Sequence, residues 1–370
     1  MKTTIKDYLI PVLILVITSL SLLTLYSAVY IKGPFKEGSV FIRQLTWILL
    51  GWFTYFVFSR LSYRRLINFI YPFYFLVIFF LLLVLAIGMM RLGAQRWIKL
   101  WWFNFQPSEF AKLAVILVLS HYFSRKSLSD IRLDVGKLSF GKGIIYPFLL
   151  ILLPFGLIVK QPDLGTALIL LFVFLSMAYF SGVKMRYITL TLAAGAFISP
   201  VFWHFLKDYQ KDRLLVFLNP NFDPLGAGYT IIQSKIAIGS GRLFGKGWLA
   251  GTQGQLNFLP ESHTDFIFGI FGEETGFAGA LLLLGVYYLL FRKAFAISAR
   301  TDDHFGKFLA FAIGLMFAMQ VYINISMTQG LSPVVGLPLP LMSYGGSSML
   351  VSFISLGILQ NINRRRTQGP

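Results

Sequence analysis

Ten separate stretches of this chain are apolar over about the 20 residues that a helix needs to cross a bilayer core. They run over 8–31, 41–58, 69–88, 108–123, 144–159, 166–182, 187–205, 266–291, 306–327 and 345–362. No water-soluble core of this size buries so much: 56% of the 370 residues are apolar and 13% charged, against about 45–50% and about 25% in soluble domains. Inside a bilayer each segment must satisfy its own backbone hydrogen bonds, which leaves helices as the form for runs of this length. The expected fold class is an all-α polytopic membrane protein with about ten transmembrane helices in one domain over 1–370. The first run is longer than a signal-peptide core and lacks a clear small-x-small cleavage site, so it reads as a retained helix. A single long extracytoplasmic loop, about 206–265, precedes the eighth span. It is rich in Gly, yet Tyr229, Ile231, Ile232, Trp248 and Phe258 argue for short amphipathic helices on the outer face rather than disorder.

Thirty-three Lys and Arg against 15 Asp and Glu give a formal charge of +18. In a soluble protein that balance would point to nucleic acid; here the basic residues fall in short clusters between apolar runs, so no nucleic-acid partner is expected. With the N-terminus in the cytoplasm, the inner loops carry 19 Lys and Arg, among them Lys2, Lys6, Arg132, Lys137 and Arg364 to Arg366, and the short outer loops six. That bias places both termini inside. Asp7, Asp130, Asp134, Asp302 and Asp303 lie inside, and the other ten acids lie outside or at the outer ends of spans. Carboxylates contribute little to topology, so their outward excess points to chemistry. The absence of cysteine excludes disulfides, thiolate metal sites and Cys nucleophiles.

Four polar clusters share the outer side. In the first, Arg96, Trp97, Lys99, Trp101 and Trp102 form either an interfacial belt or a clamp for lipid phosphates. The fourth span opens on Gln106-Pro107-Ser108-Glu109, and Glu109 and Lys112 are spaced to share a helix face. They form either a structural ion pair or the polar floor of an outward-facing cavity. Asp163, before the sixth span, stands at a helix N-terminus, where capping and a site role are both open.

The strongest cluster closes the long loop, Glu261-Ser262-His263-Thr264-Asp265, with Glu273, Glu274 and Gly276 inside the eighth span. No basic residue near in sequence neutralises Asp265, Glu273 or Glu274, and a carboxylate beside apolar surface suits general-base work. Capping by Thr264 or Asp265 is the plainer alternative. His263 alone is weak evidence for a metal. The last segment, 336–348, has no charge and is dense in Pro and Gly, with Ser343 near its end. Non-helical backbone at this depth persists only against protein or a watery cavity, so it is expected to re-enter and pack. Ionisable residues on one side of the membrane favour extracytoplasmic chemistry over transport.

These segments, in this order, resemble the SEDS family of shape, elongation, division and sporulation proteins. The matching stretches are GAQRWI (93–98), QPSEFAK (106–112), QPDLGTA (161–167), GYTIIQSKIAIGSGRLFGKGW (228–248), LPESHTDFIFGIFGEETG (259–276) and GLPLPLMSYGGSS (336–348). The stretch 245–266 and the short tail with Arg364, Arg365 and Arg366 are similar to the elongation, RodA-like branch. Asn257, where many relatives are acidic, and Thr275, where Leu is usual, depart from the pattern.

The resemblance implies a peptidoglycan glycosyltransferase that polymerises lipid II on the outer face of the cytoplasmic (inner) membrane, in cell-wall biogenesis, elongation and shape maintenance. It implies a class B penicillin-binding protein and the elongation machinery as partners. The family's essential loop aspartate maps onto Asp265, as the base or the residue that orients it. Arg96, Trp97, Glu109, Lys112, Asp163, Glu261, His263 and Ser343 are the substrate-binding candidates, with Arg96 and Lys112 for the diphosphate. A divalent cation, magnesium or manganese, is implied by the resemblance alone; the sequence holds no metal motif. A lipid II flippase and a non-catalytic scaffold are the competing readings.

Overall fold

A computed structural model describes residues 8–365 except 37, 92–93, 101–102, 131–139, 206–207, 220–221, 225 and 257. Lys2, Lys6, Asp7, Gly93, Trp101, Trp102, Arg132, Asp134, Lys137, Asn257 and Arg366, singled out above, lie outside the described residues. The chain is mostly helical: α1 Leu9–Ala28, α2 Val40–Arg60, α3 Ile70–Ile87, α4 Pro107–Asp130, α5 Tyr146–Lys160, α6 Leu164–Phe180, α7 Met185–Phe205, α8 Asp208–Leu218, α9 Ala227–Ser240, α10 Thr252–Gln255, α11 Ile267–Arg300, α12 His304–Thr328 and α13 Gly346–Arg365. Each of the ten apolar stretches is occupied by a helix. Among the described residues, six helical segments are long and apolar enough to cross a membrane, namely α1, α2, Tyr63–Ile87, Gly141–Lys160, α11 and α12, and Leu164–Phe180 is a shorter apolar helix. The chain is a multi-pass membrane protein.

The chain sorts into two compact units, one of Met1–Phe56, Asp208–Lys293 and Phe317–Ile354, the other of Val57–Lys207, Ala294–Met316 and Ser355–Pro370. Helix α1 shows how such helices pack. Ile10, Leu13, Ile14, Ile17, Thr18, Ser21, Thr24, Leu25 and Ala28 are buried at three- and four-residue spacing, while Val12, Leu15 and Leu23 are exposed. The buried stripe interleaves apolar groups with small hydroxyl residues, the composition that lets helices approach closely within a bilayer. Thr18 and Thr24 donate to the carbonyls of Ile14 and Leu20 at 2.8 and 2.9 Å, so their hydroxyls carry no unmet donor. Helix α4 differs: it is buried almost all round from Pro107 to His121. Its surroundings are protein, which is how it accommodates Glu109 and Lys112.

One feature departs from a purely helical expectation. Between α3 and α4 the chain forms three antiparallel strands, β1 Met89–Arg91, β2 Ala94–Leu100 and β3 Phe103–Phe105, in the order β1-β2-β3. Met89 lies opposite Trp97, and Ile98 opposite Phe105. Arg96 and Ile98 are buried, Trp97 is half-buried and Lys99 exposed; this period of two is a strand pattern in a segment too polar to be a span. The long loop also contains α8, α9 and α10. Helix α9 buries Gly228, Ile231, Ser234 and Ala237 on one face.

Helix α11 is broken. Gly276 has φ +67° and ψ −164° inside it, a conformation open essentially to glycine alone. The groups freed by the break are met by the segment after α9. The amides of Lys246 and Gly247 donate to the carbonyls of Glu273 and Glu274 at 3.0 and 3.1 Å, and the amides of Phe277 and Ala278 donate to Arg242 and Leu243 at 2.9 Å each. The two backbones run so close that a β-carbon at Gly276 would meet the Gly245 nitrogen and sit 2.8 Å from the Gly241 carbonyl oxygen. Both acidic side chains at the break face protein. Glu273 accepts from Lys246 Nζ at 2.6 Å, the Thr252 amide at 2.9 Å, the Thr252 hydroxyl at 3.0 Å and the Gln253 amide at 3.1 Å. Glu274 accepts from the Ser27 hydroxyl of α1. The partner of Glu273 comes from a distant segment, which local inspection for neutralising charge does not find.

Gly276→Ala is expected to lower stability by about 1–3 kcal/mol from backbone conformation alone, with the steric contact adding to this. Gly285→Ala, in the same helix where a β-carbon meets nothing within 4 Å, is the control. Thermal unfolding in detergent checks it, and equal midpoints for the two variants would refute the account.

Candidate functional site

One polar cluster is built where the loop Leu259–Phe266 enters α11. Leu259, Phe266, Ile270 and Ala28 form a buried apolar cluster that anchors both ends of the loop. Between them the chain turns at Glu261, whose φ is +50° and whose carbonyl accepts from the amides of Thr264 and Phe266 at 3.1 and 3.3 Å. The exposed Glu261 side chain takes the Thr264 hydroxyl at 2.9 Å. Glu261 and Thr264 therefore shape the turn.

The carbonyls of His263, Thr264 and Asp265 are each held from outside the loop. The Tyr344 amide donates to His263 O at 2.9 Å, the Ser343 hydroxyl to Thr264 O at 2.6 Å, and Asn324 Nδ2 to Asp265 O at 2.9 Å. The backbone that carries the half-buried Asp265 is thus clamped on successive residues. The clamp is itself secured. Ser343 accepts the Leu339 amide at 2.8 Å, its carbonyl accepts from Gln44 Nε2 at 3.2 Å, and Met342 O accepts from the Ser21 hydroxyl at 2.6 Å. Tyr287 OH donates to Pro340 O at 2.6 Å. The segment 336–348 is buried against protein as expected, with Leu337, Leu339, Leu341 and Met342 at 2% exposure or less. Ser343 has both hydroxyl functions on backbone. His263 is half-buried, its ring 6.0 Å from that of Tyr344.

The second cluster belongs to the other unit and is a buried ionic network. Asp163 caps α6: its carboxylate accepts from the Thr166 amide at 3.3 Å and hydroxyl at 3.0 Å, and from the Ser108 hydroxyl at the head of α4 at 2.8 Å. Arg96 of β2 lies 3.6 Å from the same carboxylate and donates to the carbonyls of Gln161 and Pro162. The i,i+3 pair closes as its spacing requires, Lys112 Nζ to Glu109 Oε1 at 2.8 Å. Arg96, Glu109, Lys112 and Asp163 are all at most 6% exposed, two cations against two anions. Trp97, next to Arg96 along β2, is half-buried. Gln161 secures the cap, donating to Leu81 O at 2.8 Å.

Asn324 and Ser27 lie outside the segments singled out from the sequence, and Lys246 and Gln161 fall within quoted motifs without a role assigned to them. A lone amide within an apolar span, as Asn324 is, was the available signal, since such a group is costly unless partnered.

Lys112→Met leaves the Glu109 carboxylate buried without its counter-charge. It is expected to destabilise the protein by about 3–5 kcal/mol, while Lys112→Met with Glu109→Gln recovers most of that loss. Denaturation of the three forms in one detergent checks this, and a double variant no more stable than the single would overturn it.

Comparison with known proteins identifies the family. The chain matches the family model described as Cell cycle protein, of FtsW, RodA and SpoVE, over residues 7–368. It is 40% identical over 363 residues to the peptidoglycan glycosyltransferase MrdB of Escherichia coli strain K12, covering 98% of this chain and 95% of that one. It is similar to a chain of a solved peptidoglycan synthase complex described as coordinating polymerization and crosslinking, with TM-score 0.79, 31% identity and 97% and 98% of the two chains covered. The rod shape determining protein RodA of Thermus thermophilus is similar at TM-score 0.70 and 28% identity, with 98% of each chain covered. This chain therefore belongs to the FtsW, RodA and SpoVE family of cell cycle proteins.

Proposed function

We propose that this protein is a peptidoglycan glycosyltransferase that polymerises lipid II, with Asp265 as the general base. The observation that carries the assignment is a half-buried carboxylate on a backbone held at three successive carbonyls, in a chain similar over 98% of its length to a peptidoglycan glycosyltransferase. The reaction needs a base at the acceptor sugar 4-hydroxyl. As that oxygen bonds to the donor anomeric carbon, its proton passes to the Asp265 carboxylate. The bond from that carbon to the carrier diphosphate breaks, and the diphosphate leaves with the electron pair. A fixed carboxylate is effective here because its orientation is set before the substrate arrives.

Arg96, Trp97, Glu109, Lys112 and Asp163, with Glu261, His263 and Ser343, are proposed as the substrate-contacting set on the strength of the family pattern. Arg96 and Lys112 are each neutralised by a carboxylate, so they would offer a diphosphate directed N–H donors rather than excess charge. Among the described residues no three His, Asp or Glu side chains gather to hold a metal. A magnesium or manganese ion would take most of its oxygens from a diphosphate and supply charge neutralisation there. The proton transfer is carried by this chain's own carboxylate.

Both termini are proposed to be cytoplasmic, from the basic bias of the inner loops, and the site extracytoplasmic. The proposed partners are a class B penicillin-binding protein and the elongation machinery; similarity to a chain of a peptidoglycan synthase complex supports them. Asp265→Ala in purified protein should cut polymer formation from lipid II by about 10²–10⁴-fold, with the elution profile in detergent unchanged. Undiminished polymer would sink the assignment. Polymerisation by the parent protein in detergent, where there is no second compartment, separates the enzyme from a lipid II flippase.

A further inference from the structure

We infer that Asn324 is a positioning residue for the reaction, acting through the backbone of Asp265; this rests on the reading of Asp265 as the base. Asn324 lies on α12 and is fully buried. Its Nδ2 donates to two carbonyls at once, Asp265 O at 2.9 Å and Leu337 O at 2.7 Å. Carbonyls only accept, so the amide can face them in one orientation only, with the nitrogen toward both. Its Oδ1 is left without a hydrogen-bond donor among the described residues. A buried amide kept half-satisfied is costly in an interior. Here both of its donors go to the two loops that meet at the site.

The effect on Asp265 follows from the neighbouring bonds. Ser343 and Tyr344 hold the carbonyls of Thr264 and His263, and buried Phe266 and Ile267 hold the residues that follow. The peptide between Asp265 and Phe266 is the link between these two fixed stretches, and Asn324 holds its carbonyl. Without that bond the peptide can rotate, and the Cα–Cβ direction of Asp265 swings with it. A carboxylate displaced by about 1 Å loses reactivity without losing the surface that binds substrate.

The test compares the parent, Asn324→Leu, Asn324→Ser and Asp265→Ala as purified full-length proteins with lipid II, measuring kcat, KM and unfolding midpoint. Asn324→Leu keeps the γ-branched shape and removes both donors. The expected result is a kcat lower by about 10–100-fold with KM within about twofold of the parent. Asn324→Ser, which is smaller and withdraws the amide from both carbonyls, should show the same split, and it decides the matter if Asn324→Leu does not fold. A kcat within about threefold of the parent, or a rise in KM with kcat unmoved, overturns the inference. An active Asp265→Ala would overturn the base assignment itself. An inactive Asp265→Ala beside a fully active Asn324→Leu overturns only the positioning role.

Discussion

Backbone groups that leave a helix within a bilayer have no water to turn to, and the organisation around α11 follows from that requirement. Gly276 breaks the helix, and the break exposes carbonyls on one side and amides on the other. The segment 242–247 meets both sets, which requires glycine where the two chains touch. Glu273 and Glu274 complete the junction by binding α10 and α1. A discontinuous helix is tolerated at membrane depth only when protein re-satisfies the freed groups, so the glycines of 241–247 and the acidic pair form one device. The segment 242–247 is fixed because it fills the break.

The same rule operates at Asp265. The Pro- and Gly-rich segment after α12 has no helical ladder of its own. Its polar groups are matched to Ser21, Gln44, Tyr287 and the loop before α11. What results is a rigid frame for one carboxylate, made mostly of hydrogen bonds to carbonyl oxygens. Asp265, the proposed base, stands on irregular backbone, yet that backbone is held from several sides. The other unit solves a different problem with the same economy. Two cations and two anions are buried as two pairs: Asp163 serves the cap of α6 and the Arg96 contact from β2, and Glu109 pairs with Lys112 along α4.

The legibility of these features varied with their range. The i,i+3 pair of Glu109 and Lys112 and the cap at Asp163 were readable because they are local: helix geometry brings those atoms together whatever surrounds them. The strands of 89–105 were not legible: the period of two shows in the burial of Arg96 and Ile98, not in the residue types of AQRWIKL, and the stretch reads as a short outer loop between two spans. Asp265 was legible as a candidate through its unneutralised charge and its place in a family motif. Asn324 was not, because nothing in the neighbourhood of 324 indicates that residue 265 lies opposite it. The same holds for Lys246 with Glu273 and Ser27 with Glu274.

By itself the sequence determined the membrane class, the helical stretches, the orientation signal in the basic loops and the identity of the polar clusters. These rest on hydrophobicity and spacing, which act within about 20 residues. Only the tertiary structure decided which donors meet each carboxylate. That depends on groups far away in the chain: the carboxylates of Glu273, Glu274 and Asp163 are each held by such a partner, while Glu109 is held by Lys112 one turn on. The backbone of Asp265 is held in the same way, its carbonyl by Asn324 of α12.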